Sequence, residues 1–506
     1  MPAPPDGPGG AAGPASRDTA PPHTPHRWPA LAVISLAQLM VVLDATIVNI
    51  ALPSAQRALG FDNDGRQWVV TSYTLAFGSL LLLGGRLADY FGRRRTFVTG
   101  LIGFGVASVL GGAAGSFSGL IGARAVQGMF GALLAPSALS LLTTTFTEPR
   151  ERSRAFGVFG AIAGSGAAIG LLLGGLLTEH LTWRWTLYVN VVIAAVAVLL
   201  GMLLLPPHRP SERPRLDLTG AVLVAGGLFC LVYGFSAADT EAWSDWRCWG
   251  ALTVSAVLIA GFAVHEVRAE RPLLPPRVLR DRNRAASFLS VFIAGAGMFG
   301  VFLFLTYYLQ RTLGYSPVTT GLAFLPLVGS LMLTAQLSTN VLIPRLGPKP
   351  VVPTGMGLAV AGLIWLTPLG LHSGYAAHVL PPLVILGVGL GLVMPSAISL
   401  ATLGVAQRDQ GVASATVNTM QQVGGSVGTA LFNTMAAAAA TEYARSHPRA
   451  PDVAARAQVH SFTVAYWWAT GFFAVGLAVT LALYQRGRPR DLAVGRTTGG
   501  PPETGG

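Results

Sequence analysis

The chain has 506 residues, 52% hydrophobic and 11% charged, with a formal net charge of +12 and a mean hydropathy of +0.55. An average soluble domain carries about 25% charged residues, so this composition excludes a soluble enzyme with an anchor and points to an integral membrane protein with many spans. The positive charge does not mark a nucleic-acid binder, because the arginines recur in short loops between apolar runs and not on one face.

The stretch to Pro25 is rich in Pro, Gly and Ala and reads as part of a disordered tail, 1–27. It lacks a basic segment leading straight into an apolar core and cleavage site, so no removable signal peptide is expected. Crossing a bilayer takes about 20 apolar residues. The pattern predicts fourteen spans, near 31–52, 68–88, 97–115, 118–146, 155–178, 186–205, 218–238, 249–266, 286–309, 318–343, 350–370, 378–402, 411–436 and 462–484. With both termini inside, the loops on the inner side hold most of the basic residues, as membrane topology requires. A missed or invented helix would invert every later loop and scramble that bias, so twelve or thirteen spans fit less well.

Span one carries Asp44 within L-D-A-T-I-V-N-I-A-L-P. A charge at membrane depth costs about 2.5–3.5 kcal/mol on insertion scales and usually faces the bundle interior or a water path. Burial favours the neutral acid and a nearby arginine favours the carboxylate, so Asp44 is a candidate proton carrier. The plainer alternative is a residue that caps or pairs a helix.

Between spans two and three the chain reads G-R-L-A-D-Y-F-G-R-R-R, from Gly85 to Arg95. Gly85, Asp89, Gly92, Arg93 and Arg94 are gating candidates. Asp89 sits at a span end, where it can meet arginines or a helix N-terminus of the other half. Such a contact would hold the outward-open state. Gly92 permits a turn that larger residues resist. A topological anchor alone would explain the arginines, but not Asp89 with both glycines.

Span four holds Arg124 in R-A-V-Q-G, with Gln127 on the same face. Arginine keeps its proton, so its role is to modulate a carboxylate or to bond across helices. A helix-packing arginine near the outer surface is the competing reading. Span five repeats glycine at Gly157, Gly166, Gly170, Gly174 and Gly175, a spacing that lets another helix approach closely. Trp183-Arg184-Trp185 and Asn190 open span six at the outer surface, the tryptophans fitting an interfacial belt.

Spans seven and eight stand between two related halves. Pro136-Ser137-Ala138-Leu139-Ser140-Leu141 recurs as Pro395-Ser396-Ala397-Ile398-Ser399-Leu400. Gly166 and Gly170 echo as Gly424 and Gly428, and the turn at Gly92 as Pro344 to Lys349. The division is therefore 28–205, a first six-helix half; 206–284, linkers and an inserted helix pair; 285–485, a second half; and 486–506, a second tail. Such halves hold substrate between them near mid-membrane. The position matching Arg124 is about Leu383, so proton chemistry is expected in the first half. Neutral cavity candidates are Gln127, Tyr307, Gln310, Asn418, Gln421 and Gln422, with Gln336, Asn340, Tyr308, Phe324 and Trp365 beside them. Several would serve equally as hydrogen-bonding glue between helices.

Cys230 and Cys248 form no framework, and neither they nor the histidines have metal-ligand spacing. No Walker sequence and no nucleophile–base arrangement is present, so neither an ATP-driven pump nor an enzyme is expected.

The span-one motif, the Gly85–Arg95 turn, R-A-V-Q-G, the span-five glycines, W-R-W at 183–185, Tyr308-Leu-Gln310 and Gly314-Tyr-Ser-Pro317 together resemble the fourteen-helix drug:proton antiporters of the major facilitator superfamily. The resemblance spans about residues 28 to 485 and implies an all-α membrane fold of two six-helix pseudo-repeats plus an inserted pair. It also implies rocker-switch export of hydrophobic compounds in exchange for protons, without a cofactor or metal. By position Asp44 matches the family's motif aspartate and Arg124 its fourth-helix arginine. Gly157, Gly166, Gly170, Gly174 and Gly175 match its antiporter motif, in which Leu171 replaces the usual proline. No extra acid lies in the second-half spans, which points to neutral, zwitterionic or monocationic substrates. The expected partners are a small lipophilic substrate, protons and membrane lipid, with no nucleic acid and a monomer as the default. A dedicated exporter of one endogenous metabolite, a proton-coupled importer and a non-transporting sensor share this architecture.

Overall fold

The computed structural model describes residues 27–61, 63–205, 217–241, 245–269, 272–406, 409–449 and 451–487. Both expected tails, except for the residues at their inner edges, and nearly all of the 206–217 linker lie outside the described residues.

Among the described residues the chain is helical, without strands. The first half comprises α1 (Arg27–Leu59), α2 (Asn63–Phe91), α3 (Arg93–Gly112), α4 (Phe117–Thr145), α5 (Pro149–His180) and α6 (Trp185–Leu204). An inserted pair follows, α7 (Leu218–Glu241) and α8 (Trp246–Arg268). The second half comprises α9 (Arg282–Tyr307), α10 (Val318–Leu346), α11 (Pro348–Leu366), α12 (Leu380–Ala401), α13 (Gln410–Ser446) and α14 (Val453–Leu483). Twelve helices among the described residues are long and apolar enough to cross a membrane. The long helices α5 and α13, of 32 and 37 residues, stand beside these twelve, consistent with fourteen spans.

Local sequence sets several helix ends. Ser116 caps α4 by accepting from the Gly119 N–H at 3.2 Å, and Asp281 caps α9 by accepting from Arg284 N–H at 2.9 Å. Gly92 precedes α3 with φ 94°, and Gly347 precedes α11 with φ 80°. Side chains resist that left-handed region, so the two turns require glycine. Pro136 and Pro395 both lie inside helices, α4 and α12. Three one-turn π-helical segments, Tyr308–Thr312, Ser338–Leu342 and Tyr375–Val379, interrupt or extend second-half helices.

The halves pack alike. α1 lies on α5 and α6, and α9 lies on α13 and α14. α4 lies between α2 and α3, and α12 between α10 and α11. Glycines bring the paired helices together: a Cβ on Gly166 would meet Val42 Cγ1 at 2.8 Å, and one on Gly428 would meet the Ala296 backbone at 2.7 Å. One apolar core surrounds Phe97, Phe104, Phe146 and Phe156 of the first half and draws in Phe288, Ile398 and Val417 of the second, and another surrounds Phe304, Phe324, Phe432 and Phe473 of the second half.

The inserted pair packs against the first and second halves where α2 meets α13. Leu82 of α2, Val224 and Leu228 of α7, Phe262 of α8, Leu273 and Ala415 of α13 form one apolar cluster there. α5 also reaches the second half: a Cβ on Gly157 would meet Thr339 Oγ1 at 2.6 Å, and one on Gly160 would meet Pro395 Cγ at 2.9 Å.

Candidate functional site

Asp44 is fully buried in α1 and Arg124 is 1% exposed in α4. The helix pairs that join them are tight because α2, α3 and α4 pack through glycines: a Cβ on Gly100 would meet Leu134 at 3.1 Å. Arg124 Nη1 donates to Asp44 Oδ2 at 2.7 Å and to Gln127 Oε1 at 2.6 Å, while its Nε donates to the Val69 carbonyl of α2 at 3.3 Å. Gln127 Nε2 donates to Asp44 Oδ1 at 2.8 Å and to Ser108 Oγ of α3 at 2.9 Å. Asn190 Nδ2 of α6 donates to the same Asp44 Oδ1 at 2.7 Å. The guanidinium lies over the Tyr73 ring, 4.4 Å from its centroid. Five helices besides α1 therefore shape this centre: α2, α3, α4 and α6 by polar contacts or the ring, and α5 by its glycine face on α1.

Asp44 and Arg124, singled out separately in the sequence, are brought together here, along with neighbours that the sequence did not mark as such. Arg124 lies two turns inside the start of α4 and is buried within the bundle against Asp44. Asn190, read as an outer-surface residue, is fully buried at the carboxylate. Its polarity within an apolar run was the available signal. Gln127, read as a cavity candidate, is held inside the Asp44 network. Ser108 and Tyr73 were not singled out.

The second half lacks this centre. Gly424 approaches Phe292 of α9 as Gly166 approaches Val42 of α1, which places Ala294 opposite Asp44 in the repeat. Leu383, the counterpart of Arg124, is fully buried in α12.

Of the gating candidates, Gly85, Asp89 and Arg93 lie where α2 meets α13. Asp89 Oδ1 accepts from the Gly411 N–H in the first turn of α13 at 3.2 Å and lies 3.7 Å from Arg93 Nη2. A Cβ on Gly85 would meet Gly411 O and Ala415 Cβ, each at 2.6 Å, so only glycine allows this approach. Arg94 donates to the Met202 carbonyl of α6. Arg152 of α5 reaches Thr402 Oγ1, just past α12, at 2.9 Å. Next to the gate, Arg86 Nε donates to the Leu273 carbonyl at 2.7 Å and its Nη2 to the Pro272 carbonyl. Glu266 of α8 accepts from the N–H groups of Leu273 and Leu274.

The motif glycines of α5 divide their duties. Gly166, Gly170 and Gly174 face Val42, Thr46 and Ile47 of α1, beside Asp44. Gly157 faces α10, and a Cβ on Gly175 would meet only Val318 of α10, at 3.4 Å. The backbone at Leu171 is helical, but its side chain lies outside the described residues. Of the remaining cavity candidates, Tyr307 is exposed and stacks under Arg311, and Gln310 is half-buried in the π-helical turn. Asn418, Gln421 and Gln422 are half-buried on α13, where Asn418 donates to its own helix at Ser414 O. These side chains do not gather into one cluster with Asp44.

The family profile described as Major Facilitator Superfamily matches residues 34–429. The puromycin resistance protein pur8 of Streptomyces alboniger is 50% identical over 450 residues, covering 88% of this chain and 89% of that protein. The tetracenomycin C resistance and export protein of Streptomyces glaucescens is 36% identical, covering 81% and 76%. The cephamycin export protein CmcT of Amycolatopsis lactamdurans is 39% identical, covering 80% and 84%. The crystal structure of the human organic anion transporter MFSD10 (TETRAN) shares the fold with a TM-score of 0.60 at 15% identity, covering 90% of this chain and 100% of that one. On the extent of these matches, the chain is a multi-pass membrane protein that belongs to the Major Facilitator Superfamily.

Proposed function

We propose that this protein exports hydrophobic antibiotics or drugs across the cytoplasmic membrane in exchange for protons, by alternating access and without a cofactor. Export is supported by its relatives, which are named for resistance to or export of puromycin, tetracenomycin C and cephamycin. The observation that carries proton coupling is Asp44: a carboxylate held at 0% exposure by an arginine and two amides from α4 and α6. Proton uptake neutralises Asp44 and releases the charge balance with Arg124, which gives the two halves a reason to rearrange. The Asp89–Gly411 contact fastens the halves at one end, and the arginines beside it support a cytoplasmic location for that end and for both termini. Substrates are neutral, zwitterionic or monocationic lipophiles, and a monomer in lipid suffices.

The test uses inverted vesicles with an acid interior and a panel of lipophilic dyes and antibiotics. Gradient-driven uptake is expected for wild type and lost in Asp44→Asn. Uptake that survives in the mutant moves the coupling site elsewhere. A narrower reading, one antibiotic as cargo, is favoured by relatives each named for a single compound. Resistance to one panel member only, when expressed in a pump-deficient cell, would select it.

A further inference from the structure

Two buried polar atoms at the Asp44 centre have no partner: Asn190 Oδ1 and Tyr73 Oη. Leaving a buried acceptor unmade costs roughly 1–3 kcal/mol, so such an orphan needs a reason. The proton cycle supplies one for Asn190. An ionised Asp44 only accepts, so the Asn190 amide must present its N–H2, as it does at 2.7 Å. A protonated Asp44 instead carries an O–H that needs an acceptor.

The other acceptors around the carboxylate are engaged. Gln127 Oε1 and Val69 O take hydrogens from Arg124. Ser108 Oγ takes one from Gln127 and gives its own to the Phe104 carbonyl at 2.8 Å. Tyr73 is held flat beneath the guanidinium and stacked on Phe77, with ring centroids 5.5 Å apart. Asn190 needs only to turn its amide over in place. Among the described residues no other ionisable side chain intrudes: α4 offers Arg124, α2 offers Tyr73, α3 has its arginines at its first turn, α6 has Tyr188 packed at Gly112, and α5 presents Gly166, Gly170 and Gly174, its described ionisable groups lying towards its two ends.

Resting on the reading of Asp44 as the proton carrier, we infer that Asn190 is a positioning residue that follows the protonation state of Asp44. Its amide donates to the carboxylate. When Asp44 takes a proton, the N–H···O bond breaks, the amide turns over, and the O–H of Asp44 donates to Asn190 Oδ1. The Asp44 carboxyl then keeps a hydrogen bond to Asn190 in both states, and the unpaired Asn190 group is Oδ1 beside the carboxylate and the N–H2 beside the acid.

The experiment is pH-difference infrared spectroscopy of the full chain in lipid nanodiscs, paired with the pH profile of vesicle uptake. Wild type is expected to give a carboxylic-acid band on acidification, lost in Asp44→Asn. With it a side-chain amide carbonyl band shifts to lower frequency, because the orphan oxygen gains a hydrogen bond. That amide shift disappears in Asn190→Leu, and in Asn190→Ser should the leucine variant fail to fold. Asn190→Leu removes one hydrogen bond from each protonation state, so the midpoint of the uptake pH profile is expected to stay within about one pH unit of wild type. An acid band without an accompanying Asn190 amide shift overturns the inference. So does a leucine variant whose pH profile is displaced at unchanged maximum, which marks a donor-only role, or a response to Tyr73→Phe in place of Asn190→Leu. An acid band and uptake that both persist in Asp44→Asn overturn the proton-carrier reading itself.

Discussion

Arg86 and Glu266 hold opposite edges of one short backbone segment. Arg86 takes the carbonyl of Leu273 at 2.7 Å, while Glu266 takes its N–H at 3.0 Å and that of Leu274 at 2.9 Å. Arg86 lies three residues before Asp89, one turn from the contact that joins the halves. The inserted pair is thereby fastened to α2, and it is expected to move with the gate.

Glu266→Ala strands two backbone donors and frees that segment. The loss is expected to be roughly 1–3 kcal/mol for a stranded donor. Hydrogen exchange at the Leu273 and Leu274 amides should accelerate in both Glu266→Ala and Arg86→Ala, while the amides of α4 stay protected. Uniform acceleration throughout the chain would mean general destabilisation and no fastening.

Breaking the buried ion pair from one side should cost about 3–5 kcal/mol, because the remaining charge is uncompensated. Asp44→Asn and Arg124→Gln each lower thermal stability in detergent accordingly. The double variant recovers much of that stability, yet its gradient-driven uptake stays absent. Recovery of uptake in the double variant would show that the pair is structural only.

Glycine positions should separate by what a Cβ would meet. Gly85→Ala drives a methyl into Gly411 O and Ala415 Cβ, and Gly166→Ala drives one into Val42, both under 3.0 Å. Gly175→Ala meets only Val318 Cγ2, at an ordinary 3.4 Å. Uptake is expected to fall severely in the first two and to persist in the third. Equal loss in all three would point to backbone flexibility and not to helix approach.

Asp89→Ala removes the acceptor for Gly411 N–H and a partner of Arg93. Opening of this end should follow. A cysteine at Ser414, fully buried in the first turns of α13, reports it in a chain whose Cys230 and Cys248 are replaced by serine. Maleimide labelling is expected to rise several-fold on adding Asp89→Ala, and unchanged labelling would remove Asp89 from the gate.

The legible parts of this protein were those with steep energetics. A charge such as Asp44 or Arg124 is too costly in an apolar run to be incidental. Gly92 and the α5 glycines stood out by spacing. Asn190 and Ser108 did not, because neutral polar groups are inexpensive within a bundle and only the helix packing reveals which share a partner. Glu266 and Arg86 meet across distant sequence through backbone atoms, which carry no residue code. The π-helical turns add a residue to a helical turn without any compositional mark, so their registers emerged only in three dimensions.

The asymmetry between Asp44 and Ala294 has an electrical consequence. With Asp44 as the proposed proton carrier and Ala294 at the matching position, one proton per turnover is expected. Exporting a monocation against one proton moves no net charge. Exporting a neutral compound carries one charge inward, worth about 2.3 kcal/mol per 100 mV. Collapsing the membrane potential with valinomycin and potassium at constant pH gradient should therefore slow efflux of neutral cargo and leave monocations unaffected. On the proposed mechanism, the drug's own charge decides which component of the proton-motive force drives it out.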